Sequence, residues 1–187
     1  MSATYFGFGS LVSRASIAVP VASIEPARVF GHRRAWCQPF SRDGVNFAAL
    51  GVEPGGVTDF VDGVCLKVDA EHAAYFDERE ASYRQVEVDA FHPDGRIEAA
   101  LTFETKQHAS LDAYIPVSYL ATVVVGFWDF YGRDQGLDIF IENTAGWERP
   151  VGYDLENPVY SRRPDDLVAI AGEIRTALEA VTRVVEL

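Results

Sequence analysis

Between residues 27 and 104 the chain is a succession of short β-branched and aromatic runs broken by turn signals, and this pattern limits the fold more than any other feature. The runs are "ARVFGHRRAWCQ", "NFAALGVE", "FVDGVCLKVD", "YRQVEVDAF" and "RIEAALTFE". Between them stand Arg42-Asp43-Gly44, Pro54-Gly55-Gly56 and Pro93-Asp94-Gly95. Glycine supplies positive φ at such places, and proline and aspartate favour the turn conformation. "HPDG" should join two antiparallel strands as a hairpin. "TYFGFGSL", residues 4–11, reads as a further strand that ends in glycines. Helical signals are fewer. Asp69 is placed as an N-cap with Glu71 in the first turn, and "AEHAAYFDERE" follows. Pro116 suits the first turn of a helix through "VSYLATVVVGFWDFY". Pro164, Asp165 and Asp166 open a last helix over about residues 164–186. In it Leu167, Ile170, Ala171, Ile174, Leu178, Val181 and Val185 recur on one face. Many strands followed by helices, without alternating βαβ units, describe an α+β protein with a curled sheet or small barrel. Residues 1–187 are expected to form a single domain.

Composition narrows the function. A hydrophobic content of 48% is that of a globular chain. The formal net charge of −12 argues against nucleic acid and against anionic membrane surfaces as partners. An anionic substrate would have to be held by local backbone amides or a few arginines, against the overall field. The apolar run "YLATVVVGFWDF" is too short to span a bilayer. The N-terminus lacks a basic segment followed by an apolar one, so no signal peptide is expected. Cys37 and Cys65 lie in strand-like stretches and read as reduced core residues of a cytoplasmic protein.

Several familiar chemistries do not fit. A dinucleotide fingerprint needs a third glycine where Val12 follows Gly7 and Gly9, and a Walker lysine is missing. A nucleophile elbow around Ser10 needs glycine where Val12 stands. His32, His72, His92 and His108 are scattered, with no i, i+4 pair and no Cys-x-x-Cys. The sequence therefore suggests neither metal nor cofactor. Two stretches remain. Backbone N–H groups at the Gly7–Gly9 turn can form an anion-binding concavity; the alternative is a tight turn forced by a crowded neighbour. Asp77, Glu78 and Glu80 crowd the end of the first helix. Desolvation there would raise a carboxylate toward the range of a general base; the alternative is a solvated turn with Arg79 and Arg84 as partners. The irregular stretch 145–166 is long enough to be functional or simply to wrap the core.

Taken together, these stretches resemble the γ-glutamylcyclotransferase superfamily, in particular its ChaC-like branch and related AIG2-like proteins. "FGFGSLV" resembles the Phe-Gly-Tyr-Gly-Ser-Leu loop, and "GHRRAW" the Gly-Tyr-His-Arg-Ala-Phe strand. "FDEREASY" resembles the Leu-Asp-x-Arg-Glu-x-x-x-Tyr segment. "PVSYLATVVVG" is similar to the Pro-Ser-x-x-Tyr helix, with Tyr119 and Gly126 in place. The motifs keep family order over about residues 5–130. The resemblance implies a small mixed β-barrel flanked by helices. It implies cofactor-free conversion of a small-molecule γ-glutamyl compound, such as glutathione, to 5-oxoproline with release of an amine. By position, Phe8, Gly9, Ser10, Leu11 and Val12 would bind the glutamyl group. Glu80 would be the acid/base and Tyr119 a pocket residue. Phe8 stands where the family commonly has tyrosine, Ser82 where it has glycine, and Pro116 one residue nearer Tyr119 than usual. Two alternatives remain open: other amide-bond chemistry on a small acyl or carbamoyl substrate, and a non-catalytic ligand-binding protein. Nothing in the sequence indicates an oligomeric state.

Overall fold

The computed structural model describes residues 2–187. Its strands follow the turn chemistry. β2 (Ser23–Phe30) and β3 (His32–Arg42) divide the run that reads as one strand, because Gly31 breaks it with a φ of 74°. Asp43 and Gly44, both at positive φ, then fold β3 onto β4 (Val45–Pro54) in a two-residue hairpin with Arg42 opposite Val45. β5 (Phe60–Asp69) follows. The His-Pro-Asp-Gly turn joins β6 (Arg84–Phe91) to β7 (Ile97–Glu104) antiparallel, as its sequence requires.

The first strand, β1 (Ser2–Gly7), closes the architecture. It pairs antiparallel with β5 along its length and parallel with β7 at Tyr5–Leu101. β1, β5, β2, β6 and β7 thus form a closed five-stranded mixed barrel. β4 and β3 extend the sheet from β7. The fold is α+β, a small mixed barrel flanked by helices.

The helices agree with the sequence in part. Asp69 precedes a 3₁₀ turn (Ala70–His72) that leads into α1 (Ala73–Arg79), but its side chain makes no capping bond. β8 (Ile115–Pro116) runs into α2 (Val117–Tyr131). α3 (Arg133–Glu142) is an additional helix that the sequence pattern does not announce. β9 (Thr144–Ala145) lies along β3, and β10 (Val151–Tyr153) along β8. The last helix, α4, is shorter than its apolar period suggests and spans Leu167–Glu179. Beyond it Thr182 Oγ1 donates to the Arg149 carbonyl at 2.6 Å, and the Arg183 carbonyl accepts from Val151 N at 2.8 Å. These bonds draw the terminus into β11 (Val184–Glu186), parallel to β10, so Val185 belongs to a strand. Among the described residues no helix is long and apolar enough to cross a membrane.

Three contacts fix the elements that matter for the site. Phe76 of α1 stacks on Tyr5 of β1 at 4.6 Å between ring centroids, and Tyr5 stacks on Phe103 of β7 at 5.9 Å. α2 packs backbone to backbone on the chain after β1. A Cβ at Gly126 would lie 2.6 Å from both Val12 C and Ser13 N. Gly126 is therefore a glycine because helix and turn touch there.

Candidate active site

After β1 the chain makes a 3₁₀ turn, Ser10–Val12. Its first satisfied backbone donors are Val12, bonded to the Gly9 carbonyl at 2.9 Å, and Ser13, bonded to the Ser10 carbonyl at 3.2 Å. The amides of Gly9, Ser10 and Leu11 precede them and have no backbone acceptor among the described residues. They lie beside a cavity of about 260 Å³. Phe8, Gly9, Ser10 and Leu11 line it from this side, and Glu80, Tyr83 and Tyr119 line it from others.

Val12 is placed differently. It is fully buried, does not line the cavity, and has its amide engaged. Its position reflects the packing on Gly126.

Gly9 also differs from the expectation. Its φ of −120° is not in the left-handed region, so a positive φ is not what requires glycine. Space does. A Cβ there would lie 2.7 Å from the Tyr119 hydroxyl oxygen. At Gly7 a Cβ would lie 2.7 Å from Leu11 Cβ. Crowding thus accounts for both glycines, and the open amides come with the resulting turn.

Glu80 ends α1, with its amide bonded to the Phe76 carbonyl at 2.9 Å. Asp77 and Glu78 are exposed, whereas only 13% of the Glu80 side chain reaches solvent. Burial lifts the Glu80 carboxyl above the ordinary carboxylate range, and the charges of Arg79 and Arg162 hold part of that rise back.

Arg79 connects the two halves of the site. Its Nε lies 3.1 Å from Glu80 Oε1. One terminal nitrogen donates to Ser10 Oγ at 3.0 Å and Ser16 Oγ at 3.2 Å. The other donates to the Ser16 carbonyl at 2.7 Å and Tyr75 Oη at 2.9 Å. The guanidinium thus holds α1 against the turn that carries the open amides.

Tyr119, in the first turn of α2, is nearly buried. Burial raises its hydroxyl well above the usual tyrosine range, while the backbone amides of Ser10 and Leu50 approach the oxygen and oppose the rise. Tyr83 closes another wall, its hydroxyl donating to the Leu50 carbonyl at 2.8 Å.

Sequence reading did not single out Arg79 as a scaffold, nor Tyr160 and Arg162, which come from the long connection between β10 and α4 and line the same cavity. The only prior signal was the length of that connection.

Among the described residues no histidine or cysteine lines the cavity. The fold does gather two mixed donor sets that spacing concealed, Cys65 with His92 and Glu98, and Cys37 with Glu53 and His108. Burial pushes both thiols up to about 12. Glu98 is already bound by Lys67 at 3.0 Å and Thr4 at 3.1 Å, and Glu53 by His108 at 3.1 Å and Arg33 at 3.3 Å. In the first set, however, both ring nitrogens of His92 and Glu98 Oε2 are buried without a hydrogen-bond partner among the described residues.

No protein-family model matches the sequence, and no curated protein matches it. The fold has relatives among solved structures. A γ-glutamyl cyclotransferase superposes with a TM-score of 0.66 at 14% identity, over 92% of this chain and 99% of that one. An uncharacterized protein from Homo sapiens gives 0.61 at 15% identity, over 74% and 86%. YkqA from Bacillus subtilis gives 0.61 at 18% identity, over 75% and 54%. The chain has the γ-glutamylcyclotransferase-like architecture. At such identities the likeness is one of fold, and function has to be argued from the site.

Proposed function

We propose that the protein is a cofactor-free γ-glutamylcyclotransferase. The reading rests on one observation: the largely buried Glu80 carboxyl shares a single cavity with the amides of Gly9 and Leu11, which have no backbone acceptor among the described residues. The substrate would supply its own nucleophile. Its α-ammonium gives a proton to Glu80, and the free amine attacks the γ-carbonyl carbon to close a five-membered ring. The carbonyl oxygen becomes an oxyanion. The turn amides and the Tyr119 hydroxyl donate to it, each donor on such an anion being worth roughly 3–4 kcal/mol. The carbon–nitrogen bond of the γ-amide then breaks as Glu80 gives its proton to the departing amine; the freed carboxylate takes the second proton from the ring nitrogen and passes it to that amine, which leaves as an ammonium, and 5-oxoproline is left. Holding amine and carbonyl in register matters most, since well-oriented intramolecular reactions reach effective molarities of about 10⁵–10⁸ M.

A carboxyl raised above its ordinary range suits both proton transfers near neutral pH. Phe8 offers no hydroxyl where the family commonly has one, but Tyr83, Tyr119 and Tyr160 bring three to the same walls.

The test is to incubate the protein with a panel of γ-glutamyl amino acids, peptides and amines and to assay 5-oxoproline. Product is expected from at least one. Glu80→Gln should lower turnover by about 10²–10⁴-fold, whereas Glu78→Gln, at an exposed position, should not. Absence of product from every compound would overturn the reading.

A further inference from the structure

The backbone at Tyr160 and Arg162 is held beside the cavity by a built connection, with Arg162 itself exposed at its mouth. Asp154, just after β10, accepts from Ser118 N at 2.9 Å, from Ser118 Oγ at 2.5 Å and from Val159 N at 2.8 Å. Ser118 Oγ in turn accepts from Tyr160 N at 3.1 Å, and the Arg162 carbonyl accepts from Thr122 Oγ1 at 3.4 Å. The Tyr160 ring meets that of Tyr119 edge-on, 5.0 Å between centroids at 88°. Its hydroxyl is buried and has no hydrogen-bond partner among the described residues. A buried hydroxyl without a partner is costly unless something occupies it.

The charges at the cavity do not balance. Arg79, Arg162 and Glu80 are the charged side chains lining it. Arg79 is fully engaged with Glu80, Ser10, Ser16 and Tyr75. Arg162 has no carboxylate within ion-pairing distance among the described residues, although the chain carries 28 acidic side chains. Two guanidinium groups thus face one carboxylate. A γ-glutamyl amine with a neutral departing group is a zwitterion of zero net charge. A γ-glutamyl compound whose departing amine bears a carboxylate has a net charge of −1 and complements the surplus.

We propose that Arg162, assisted by the Tyr160 hydroxyl, binds a carboxylate on the departing amine and so sets the preference for γ-glutamyl amino acids or peptides over γ-glutamyl amines. This rests on the cyclotransferase reading above. The planar guanidinium matches a carboxylate through two parallel hydrogen bonds, which an amide side chain cannot reproduce.

The experiment compares γ-glutamylglycine with γ-glutamylmethylamide, which keeps the reacting amide and lacks the carboxylate. Wild type should favour γ-glutamylglycine in kcat/KM by roughly tenfold or more. Arg162→Gln should lower that ratio by roughly tenfold, and Arg162→Lys should restore part of it. A ratio near one in wild type, or one unchanged by Arg162→Gln, would overturn the proposal. If neither compound yields 5-oxoproline in wild type, the cyclotransferase reading fails and binding decides about Arg162. N-glutarylglycine lacks the α-amine and cannot cyclise. Calorimetry should show it binding wild type at least roughly tenfold more tightly than Arg162→Gln; equal affinity, or no binding to wild type, overturns the proposal.

Discussion

A largely buried carboxyl group near two guanidinium groups can be stabilised or destabilised in its charged form, and the sign decides what Glu80 does to the fold as well as to the proposed reaction. Here desolvation outweighs the positive neighbours, so the native pKa lies above the ordinary value of 4.5. Glu80 then favours the folded state below that value, and the benefit is lost as pH rises through the raised native pKa. Glu80→Gln has no proton to lose. The stability of the variant relative to wild type should therefore improve from about pH 4 to about pH 7. Urea unfolding at both pH values checks this, and a difference that stays constant would mean the carboxyl is not raised. Gly9 gives a second residue-scale prediction. Gly9→Ala places a methyl against the Tyr119 hydroxyl and should cost about 1–3 kcal/mol. Tyr119→Phe removes the obstructing oxygen, so the part of that cost owed to the clash should vanish in the double variant. A double-mutant cycle by denaturant unfolding reads the coupling directly. The sequence marked Gly9 as special but not the cause. A glycine that admits a ligand and one that admits a distant tyrosine are alike in the sequence.

At the level of elements, the helices show where pattern reading stops. α1 and α2 are legible because apolar residues and a boundary signal coincide. α3 is not, and Gly136 explains why. Glycine in mid-helix lowers the propensity that marks a helix, yet a Cβ there would lie 2.6 Å from the Phe127 carbonyl oxygen of α2. Close contact between α2 and α3 thus erases the local signal for α3. The connection from β10 to α4 escapes for a different reason: its placement depends on Asp154, whose partners are 36 residues earlier and 5 later. That carboxylate sits at the N-terminus of α2, where negative charge is favoured, and fastens the connection to it. Asp154→Ala leaves Ser118 N, Ser118 Oγ and Val159 N without an acceptor. It should cost about 2–4 kcal/mol and make residues 155–165 more susceptible to limited proteolysis. Asp154→Asn, which keeps one acceptor, should fall between. A cleavage pattern and unfolding midpoint equal to wild type in Asp154→Ala would show that the connection is held by something else.

For the whole molecule, the strands are readable one at a time, but closing them into a barrel is not, because closure joins Tyr5 to Leu101 across most of the sheet-forming chain. Arg34 shows how the closed barrel is tied to the site. It sits in "GHRRAW", yet it is completely buried, with no carboxylate in ion-pairing contact among the described residues. Its donors reach Thr144 Oγ1 at 2.8 Å, the Asp62 carbonyl of β5 at 2.8 Å, the Phe8 carbonyl at 3.3 Å and the Phe140 carbonyl at 3.4 Å. The guanidinium also lies 4.9 Å from the ring centres of both Phe127 and Phe140. Burial depresses its pKa to about 10, which still leaves it charged at neutral pH. One side chain thus joins β3, β5, the turn after β1 and the end of α3. Lysine cannot span those acceptors, since it offers one compact, strongly hydrated ammonium in place of a planar fork. Arg34→Lys should therefore lower stability by about 2–4 kcal/mol. If the proposed activity holds, it should also lower 5-oxoproline formation under conditions where the variant remains folded, because the Phe8 carbonyl that positions the turn loses its donor. Denaturant unfolding and the activity assay test the two parts separately. A stable variant with unchanged turnover would show that the barrel positions the turn without Arg34. A stability loss with unchanged turnover would confine Arg34 to holding the barrel and helix together.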